Sequence, residues 1–161
     1  MDARTHPEPD LWWEDFTVGD ADELGRHTFT ESEIIAFALQ FDPQPMHTDP
    51  QAAKDSIYGG LIASGWHSCA IAMRLMCEST VNRTVSMGSP GVDAVRWLKP
   101  VRAGDTLTYR RTVLESRASR SRPEAGLVKS RWEAVNQNGE LVLTMEGWGM
   151  FGRKPAGPAS P

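Results

Sequence analysis

The 161-residue chain has only two cysteines, Cys69 and Cys77, set eight apart. In one helix they would lie about 12 Å from each other along the axis. A disulfide needs Cα atoms within about 7 Å, so the two do not pair there. No Cys-x-x-Cys and no His-x-x-x-His occurs, and His6, His27, His47 and His67 stand 20 or 21 apart, which is no zinc spacing. No metal site is expected. The chain also lacks a run of the roughly 18 to 20 apolar residues that a membrane helix needs. Its opening, Met1 to Asp10, has neither the basic nor the apolar part of a secretory signal. These absences exclude a membrane span and a secreted disulfide scaffold. Reduced cysteines without a leader lead us to expect a cytoplasmic protein.

What is there is ordinary in sum. Hydrophobic residues make up 40 % and charged residues 24 %, and the mean hydropathy is −0.41. At this length the chain is one domain with a real core, and no linker or repeat divides it. The net charge of −4 is unevenly spread: residues 1–60 hold 13 of the 21 acids and 3 of the 17 basic residues. Residues 96–131 hold 10 basic residues against 3 acids. That run reads either as solvated strand faces or as a site for a phosphate-bearing ligand. The total charge is wrong for nucleic acid.

The first ten and last nine residues are polar and rich in Pro and Ala, and are expected to be disordered tails around a domain at 11–152. A short strand is expected at 25–29. Thr30 and Glu33 form a capping box, and Phe29 and Ile34 have the spacing of a hydrophobic staple. Ile34, Phe37, Ala38 and Phe41 recur at helical spacing. The helix stops by Asp42, because Pro43 disfavours helical geometry before it. Asp42 to His47 reads as a stiff loop. Thr48 or Asp49 then caps a short helix with Pro50 at its first position. Residues 61–78 are apolar nearly all round and predict a helix buried on most sides. Four strands follow, at 92–98, 105–116, 127–136 and 140–151, with Asn138-Gly139 as the hairpin turn of the last pair. Helices followed by antiparallel strands make an α+β fold, one long helix lying across a curled sheet.

Two places could carry chemistry. Asp42 and His47 flank Pro43 and Pro45, which hold the loop off helical geometry and let both side chains curl toward one point. A water held between them could be deprotonated near neutral pH. The plainer reading is a capping aspartate and a loop histidine. Gly60 to Trp66 enters the apolar helix, where a free backbone N–H could hold a carbonyl oxygen as charge develops on it. The plainer reading there is a glycine turn. His67, one turn further, reads as a packed helix histidine. Ser64 and Ser68 have no evident charge partner to make a nucleophile.

Taken together, Phe41-Asp42-Pro43-Gln44-Pro45-Met46-His47-Thr48-Asp49 and Tyr58-Gly59-Gly60-Leu61-Ile62-Ala63-Ser64-Gly65-Trp66 resemble the MaoC-like dehydratases and (R)-specific enoyl-CoA hydratases. Trp13 to Asp20 looks like that family's opening. Val95-Arg96-Trp97-Leu98-Lys99-Pro100-Val101-Arg102-Ala103-Gly104-Asp105 looks like its strand, Pro-Val turn and Gly-Asp. The resemblance runs from about residue 12 to 151. It implies a hot-dog fold, a sheet wrapped around a long helix, and at least a homodimer, commonly with the sheets joined edge to edge. It implies reversible syn hydration of a trans-2-enoyl thioester to an (R)-3-hydroxyacyl thioester. Asp42 and His47 would be the catalytic pair, and Gly65 the amide that polarises the thioester carbonyl. Gln44, Ser64 and Trp66 would touch the substrate. Gln44 and Ser64 stand where the family often has Asn and His, and Trp66 is bulkier than usual, which bears on the acyl preference. The resemblance implies an acyl-CoA or acyl-carrier-protein thioester as substrate, so coenzyme A would come with the substrate and no separate cofactor is expected. Its phosphates give the basic run a partner, with Arg96, Lys99 and Arg102 the first candidates. Two other readings remain: a hot-dog thioesterase, although residues 61–77 lack the helix carboxylate many of those use, and a non-catalytic subunit of a dehydratase complex.

Overall fold

The computed structural model describes residues 8–155. In chain order the elements are β1 (Ala21–Thr28), α1 (Glu31–Phe41), α2 (Pro45–Thr48), α3 (Pro50–Lys54), α4 (Gly65–Ser79), β2 (Gly91–Trp97), β3 (Thr106–Ala118), β4 (Ala125–Val135) and β5 (Leu141–Gly152). The strands form one antiparallel sheet in the order β1-β3-β4-β5-β2. The expected α+β order is found, with α4 lying in the concave face of the sheet.

Local chemistry accounts for most boundaries. The Thr30 side chain accepts the Glu33 N–H and caps α1, while Phe29 and Ile34 on either side are fully buried. Burial of each such side chain is worth roughly 1.5–3 kcal/mol. Asp49 accepts the N–H groups of Gln51 and Ala52 and starts α3 at Pro50. β4 turns into β5 where Asn136 and Glu140 pair across Asn138-Gly139 and Gly139 takes a φ of 75°. Ile71, Ala72 and Leu75 of α4 join Leu107, Tyr109, Ala134, Val142 and Leu143 of the sheet in the main core.

Four expectations need correction. β1 begins at Ala21, not at 25, because the polar Ala21–Glu23 pair with Arg110–Thr112 as an edge. The stretch before Thr48 is not all loop, since Pro45–Thr48 forms a helical turn. The long helix starts at Gly65 rather than 61. Its expected first residues are held extended by bonds from Ile62 N–H to Met46 and from Ala63 N–H to Val101. Nor is α4 buried on most sides, since Trp66 and Met73 are 56 % and 47 % exposed. Much of the two expected tails lies outside the described residues. Within them, Asp10 pairs with Arg83, Arg153 with Glu14 and Lys154 with Asp15, so these positions are tied to the domain. Among the described residues no helix is long and apolar enough to cross a membrane, and no cluster of His, Cys, Asp and Glu is placed to hold a metal.

Candidate active site

The α1 helix delivers Asp42 as its C-terminal cap, the last point before Pro43 turns the chain. Pro45 then opens α2 at the position where its missing N–H costs nothing, and His47 follows on the inner side of that turn. The two side chains converge: His47 Nε2 lies 3.5 Å from Asp42 Oδ2. His47 is buried, and its Nδ1 lies 2.7 Å from the Ile62 carbonyl. A carbonyl only accepts, so Nδ1 carries a proton, and Nε2 is the ring nitrogen that faces Asp42.

Asp42 is held from its other side. Ser64 Oγ donates to Oδ2 at 2.6 Å and Gln44 Nε2 donates to Oδ1 at 2.7 Å. Partial burial pushes the carboxyl up. The hydrogen bonds from Ser64 and Gln44 and the nearby His47 charge outweigh it and hold the group below the ordinary carboxylate range. Asp42 is therefore an anion that takes up a proton less readily than an ordinary carboxylate.

Ser64 is fully buried and also caps α4, accepting the Trp66 N–H at 3.3 Å. Gly65 is the first residue of the helix, and its N–H takes no acceptor among the described residues. A β-carbon at Gly65 would collide with the Trp97 indole, so any larger residue there requires that ring to move. Gly65 and His47 line one cavity of about 380 Å³, closed by Ser68, Trp97, Val101 and Leu143 and rimmed by Tyr58 and Lys99.

Asp42, Gln44, His47 and Ser64 thus come together, and of these His47 shares the cavity lining with Gly65. Lys99 stands at the rim and forms an ion pair with Glu140. Arg102 lies behind the rim, its guanidinium donating to the Tyr58 carbonyl at 2.6 Å. Arg96 is exposed on β2 away from the cavity, and Trp66 faces outward from α4. Part of the basic run is spent on neighbouring carboxylates: besides Lys99, Arg111 pairs with Asp22, Lys129 with Asp93 and Arg131 with Glu146. The first carboxylate on α4, Glu78, is exposed at its far end beside Arg74. Sequence reasoning missed the Ile62 carbonyl that sets the His47 tautomer and the Trp97 ring over Gly65. Both are contacts between distant segments and leave no local pattern.

A family model described as "MaoC like domain" matches residues 18–134. Among solved structures, the chain is similar to a MaoC-like dehydratase from Rhodospirillum rubrum, with 40 % identity, 91 % of this chain and 99 % of that one covered, and a TM-score of 0.83. A monoamine oxidase regulatory protein from Archaeoglobus fulgius is 32 % identical, with 93 % and 99 % covered and a TM-score of 0.82. The R-hydratase PhaJ1 from Pseudomonas aeruginosa shares the fold at 22 % identity, with 93 % and 94 % covered and a TM-score of 0.72. The five-stranded sheet around α4 is the hot-dog fold.

Proposed function

Because the chain belongs to the MaoC-like dehydratase family, we propose that it is an enoyl thioester hydratase, adding water reversibly to a trans-2-enoyl-CoA to give the (R)-3-hydroxyacyl-CoA. One observation carries this reading: His47, whose Nε2 lies 3.5 Å from Asp42 Oδ2, lines the same cavity as Gly65, whose N–H takes no acceptor among the described residues.

A water lies between Asp42 Oδ2 and His47 Nε2 and hydrogen-bonds to both. His47 Nε2 takes one proton from it as the water oxygen bonds to C3 of the enoyl group. The C2–C3 π electrons move toward C2 and the thioester oxygen, where the Gly65 N–H and the positive end of α4 stabilise the enolate. The proton on His47 then passes to C2, and the enzyme is restored. One dyad handles both the hydroxyl and the proton, so both arrive on one face. No cofactor is needed beyond the coenzyme A of the substrate. Lys99 on the cavity lining, with Arg102 behind it, suits its phosphates better than Arg96 does. We further propose a homodimer built on the β2 edge.

The test is loss of the enoyl thioester absorbance of crotonyl-CoA by the pure protein. His47→Ala and Asp42→Ala should each lower kcat/KM by about 100- to 10,000-fold with the melting temperature kept near wild type. Full activity in either variant overturns the dyad. Release of free thiol instead would make the protein a thioesterase, and activity only with an added partner would make it a subunit.

A further inference from the structure

Between the end of α3 and the start of α4, residues 55–64 form a strap without regular secondary structure, and its Tyr58, Ile62 and Ala63 line the His47 cavity. The last three residues of the strap are fixed one by one. The Ile62 N–H donates to the Met46 carbonyl, and the Ile62 carbonyl accepts from His47 Nδ1. The Ala63 N–H donates to the Val101 carbonyl, and the Ser64 hydroxyl donates to Asp42. The earlier part has less to hold it. The Tyr58 and Gly59 N–H groups bond only to Ser56, within the strap, and Ile57 is 95 % exposed. Among the described residues a single polar contact from outside the strap reaches residues 57–61: Arg102 Nη2 donates to the Tyr58 carbonyl at 2.6 Å.

Arg102 stands on a firm base. Its N–H donates to Asp105 Oδ2 at 2.8 Å, and the Asp105 N–H returns to the Arg102 carbonyl at 3.1 Å. Asp105 also accepts from Gln137 Nε2 and, through its carbonyl, from the Phe29 N–H, each at 2.8 Å. The turn at 101–105 therefore grips the strap twice, through Arg102 at Tyr58 and through Val101 at Ala63, and Ile62 lies between the two grips. The guanidinium also lies against Gly60, where a β-carbon would stand 3.3 Å from Nη1. Lys99, Arg111, Lys129 and Arg131 each pair with a carboxylate. Arg102 pairs with none among the described residues, and its charge strengthens the bond to the Tyr58 carbonyl.

We propose that Arg102 is a positioning residue. By clamping Tyr58 it stiffens the strap, keeps the Ile62 carbonyl on His47 Nδ1, and so keeps His47 Nε2 turned toward Asp42. The consequence for turnover rests on the hydratase reading; the effect on His47 does not. Three variants test it. Arg102→Gln shortens the side chain and removes its charge, Arg102→Lys keeps one charged donor, and Gly60→Ala crowds the guanidinium and leaves its charge. The first readout is exchange of the His47 Nδ1 proton with solvent, followed by NMR of histidine-labelled protein, with the signal identified by its absence from His47→Ala. Wild type should protect this proton, and Arg102→Gln should exchange it about 10-fold faster, with the other two variants between. The second readout is hydration of crotonyl-CoA and of crotonyl-pantetheine, which has no nucleotide and no phosphate. With both, kcat should fall about 10-fold in Arg102→Gln while KM moves by less than about twofold, and Arg102→Lys should recover part of the loss. Arg102→Lys and Gly60→Ala keep the comparison available should the glutamine variant not fold. Exchange equal to wild type in every variant overturns the clamp. So does a defect confined to KM for crotonyl-CoA and absent with crotonyl-pantetheine, which makes Arg102 a phosphate contact only. In an active protein, faster exchange with kcat kept overturns the positioning role. A wild type without turnover defeats the hydratase reading, and exchange alone then decides the clamp; turnover with unmoved exchange keeps the hydratase reading and removes the clamp.

Discussion

Ser64 shows how one small side chain couples the two halves of the site. From sequence, through the family resemblance, it reads as a substrate contact. In the fold its hydroxyl donates to Asp42 Oδ2 at 2.6 Å and accepts the Trp66 N–H at 3.3 Å, so it ties the acidic member of the dyad to the start of α4. Hydrogen bonds to a carboxylate favour its charged form. Ser64→Ala removes one, and the Asp42 carboxyl should titrate higher, which carbon-detected NMR of the aspartate side chains would read. A hydrogen bond to a charged group is worth about 1.5–3 kcal/mol, so kcat/KM for crotonyl-CoA should fall about 10- to 100-fold. The lost cap should cost about 1 kcal/mol, a few degrees of melting temperature. The sign for acid stability follows. Asp42 titrates below an unfolded aspartate, so its stabilisation is present above about pH 3.9 and is lost as pH falls through the lower folded value. Part of that acid dependence should vanish in the variant. An unmoved Asp42 titration would separate Ser64 from the dyad.

The elements are held together by a second polar cluster outside the site. His67 on α4 stacks on Phe37 of α1, with centroids 4.6 Å apart at 7°, and meets Phe29 edge-on at 5.0 Å. Its Nε2 lies 3.6 Å from Glu33 of α1, the carboxylate that also binds His27 of β1. Arg74 of α4 donates to the other nitrogen of His27 at 3.1 Å. One carboxylate thus joins three elements. His67 Nδ1 is buried without a partner among the described residues. Burial pushes His67 down first, the charges of His27 and Arg74 add to that, and Glu33 opposes it. The folded state therefore takes up this proton at lower pH than the unfolded chain, whose histidine titrates near about 6.5. Stability from this group is full above that value and declines as pH falls toward the folded one. His67→Phe should fit between the two phenyl rings, and its melting temperature should fall less than that of wild type between about pH 7.5 and 5. Parallel declines in calorimetry would exclude His67 as the source. The same helices show where sequence is readable. Thr30, Pro50 and Asn138-Gly139 act within a few residues, so their signals survived intact. The start of α4 did not: Leu61–Ser64 look helical by hydropathy, but Ile62 and Ala63 bond to Met46 and Val101 instead. In the site, Asp42 and His47 do converge, but because Pro43 follows the end of α1 and Pro45 opens the turn α2, not because a stiff loop holds them. Trp97, 32 positions from Gly65, carries no periodicity that could reveal their contact.

At the scale of the molecule the two sheet edges are treated differently. β1, at one edge, carries Asp22, Glu23 and Arg26 and is bulged between Glu23 and Gly25, where φ is 145°. Charge and bulging keep other strands off. β2, at the other edge, is flanked by exposed apolar surface: Val92, Trp97 and Leu98 on and beside the strand, Trp66 and Met73 on the neighbouring face of α4. An edge of that kind in a stable protein is covered, and the simplest cover is the same strand of a second copy about a twofold axis, joining two five-stranded sheets. The expected mass in solution is therefore twice the chain's 17.8 kDa by light scattering at micromolar concentration. Val92→Lys with Leu98→Glu would place a bare charge at each end of β2, and should shift the protein to monomer while circular dichroism keeps the sheet signal. A wild type that sediments as a monomer, or a double variant still dimeric, would mean that this edge is covered by something else. The assay ties assembly to chemistry as well. Trp97 closes the His47 cavity from β2 itself, so loosening this edge should raise KM for crotonyl-CoA more than it lowers kcat, since Asp42 and His47 sit on α1 and α2, away from the strand.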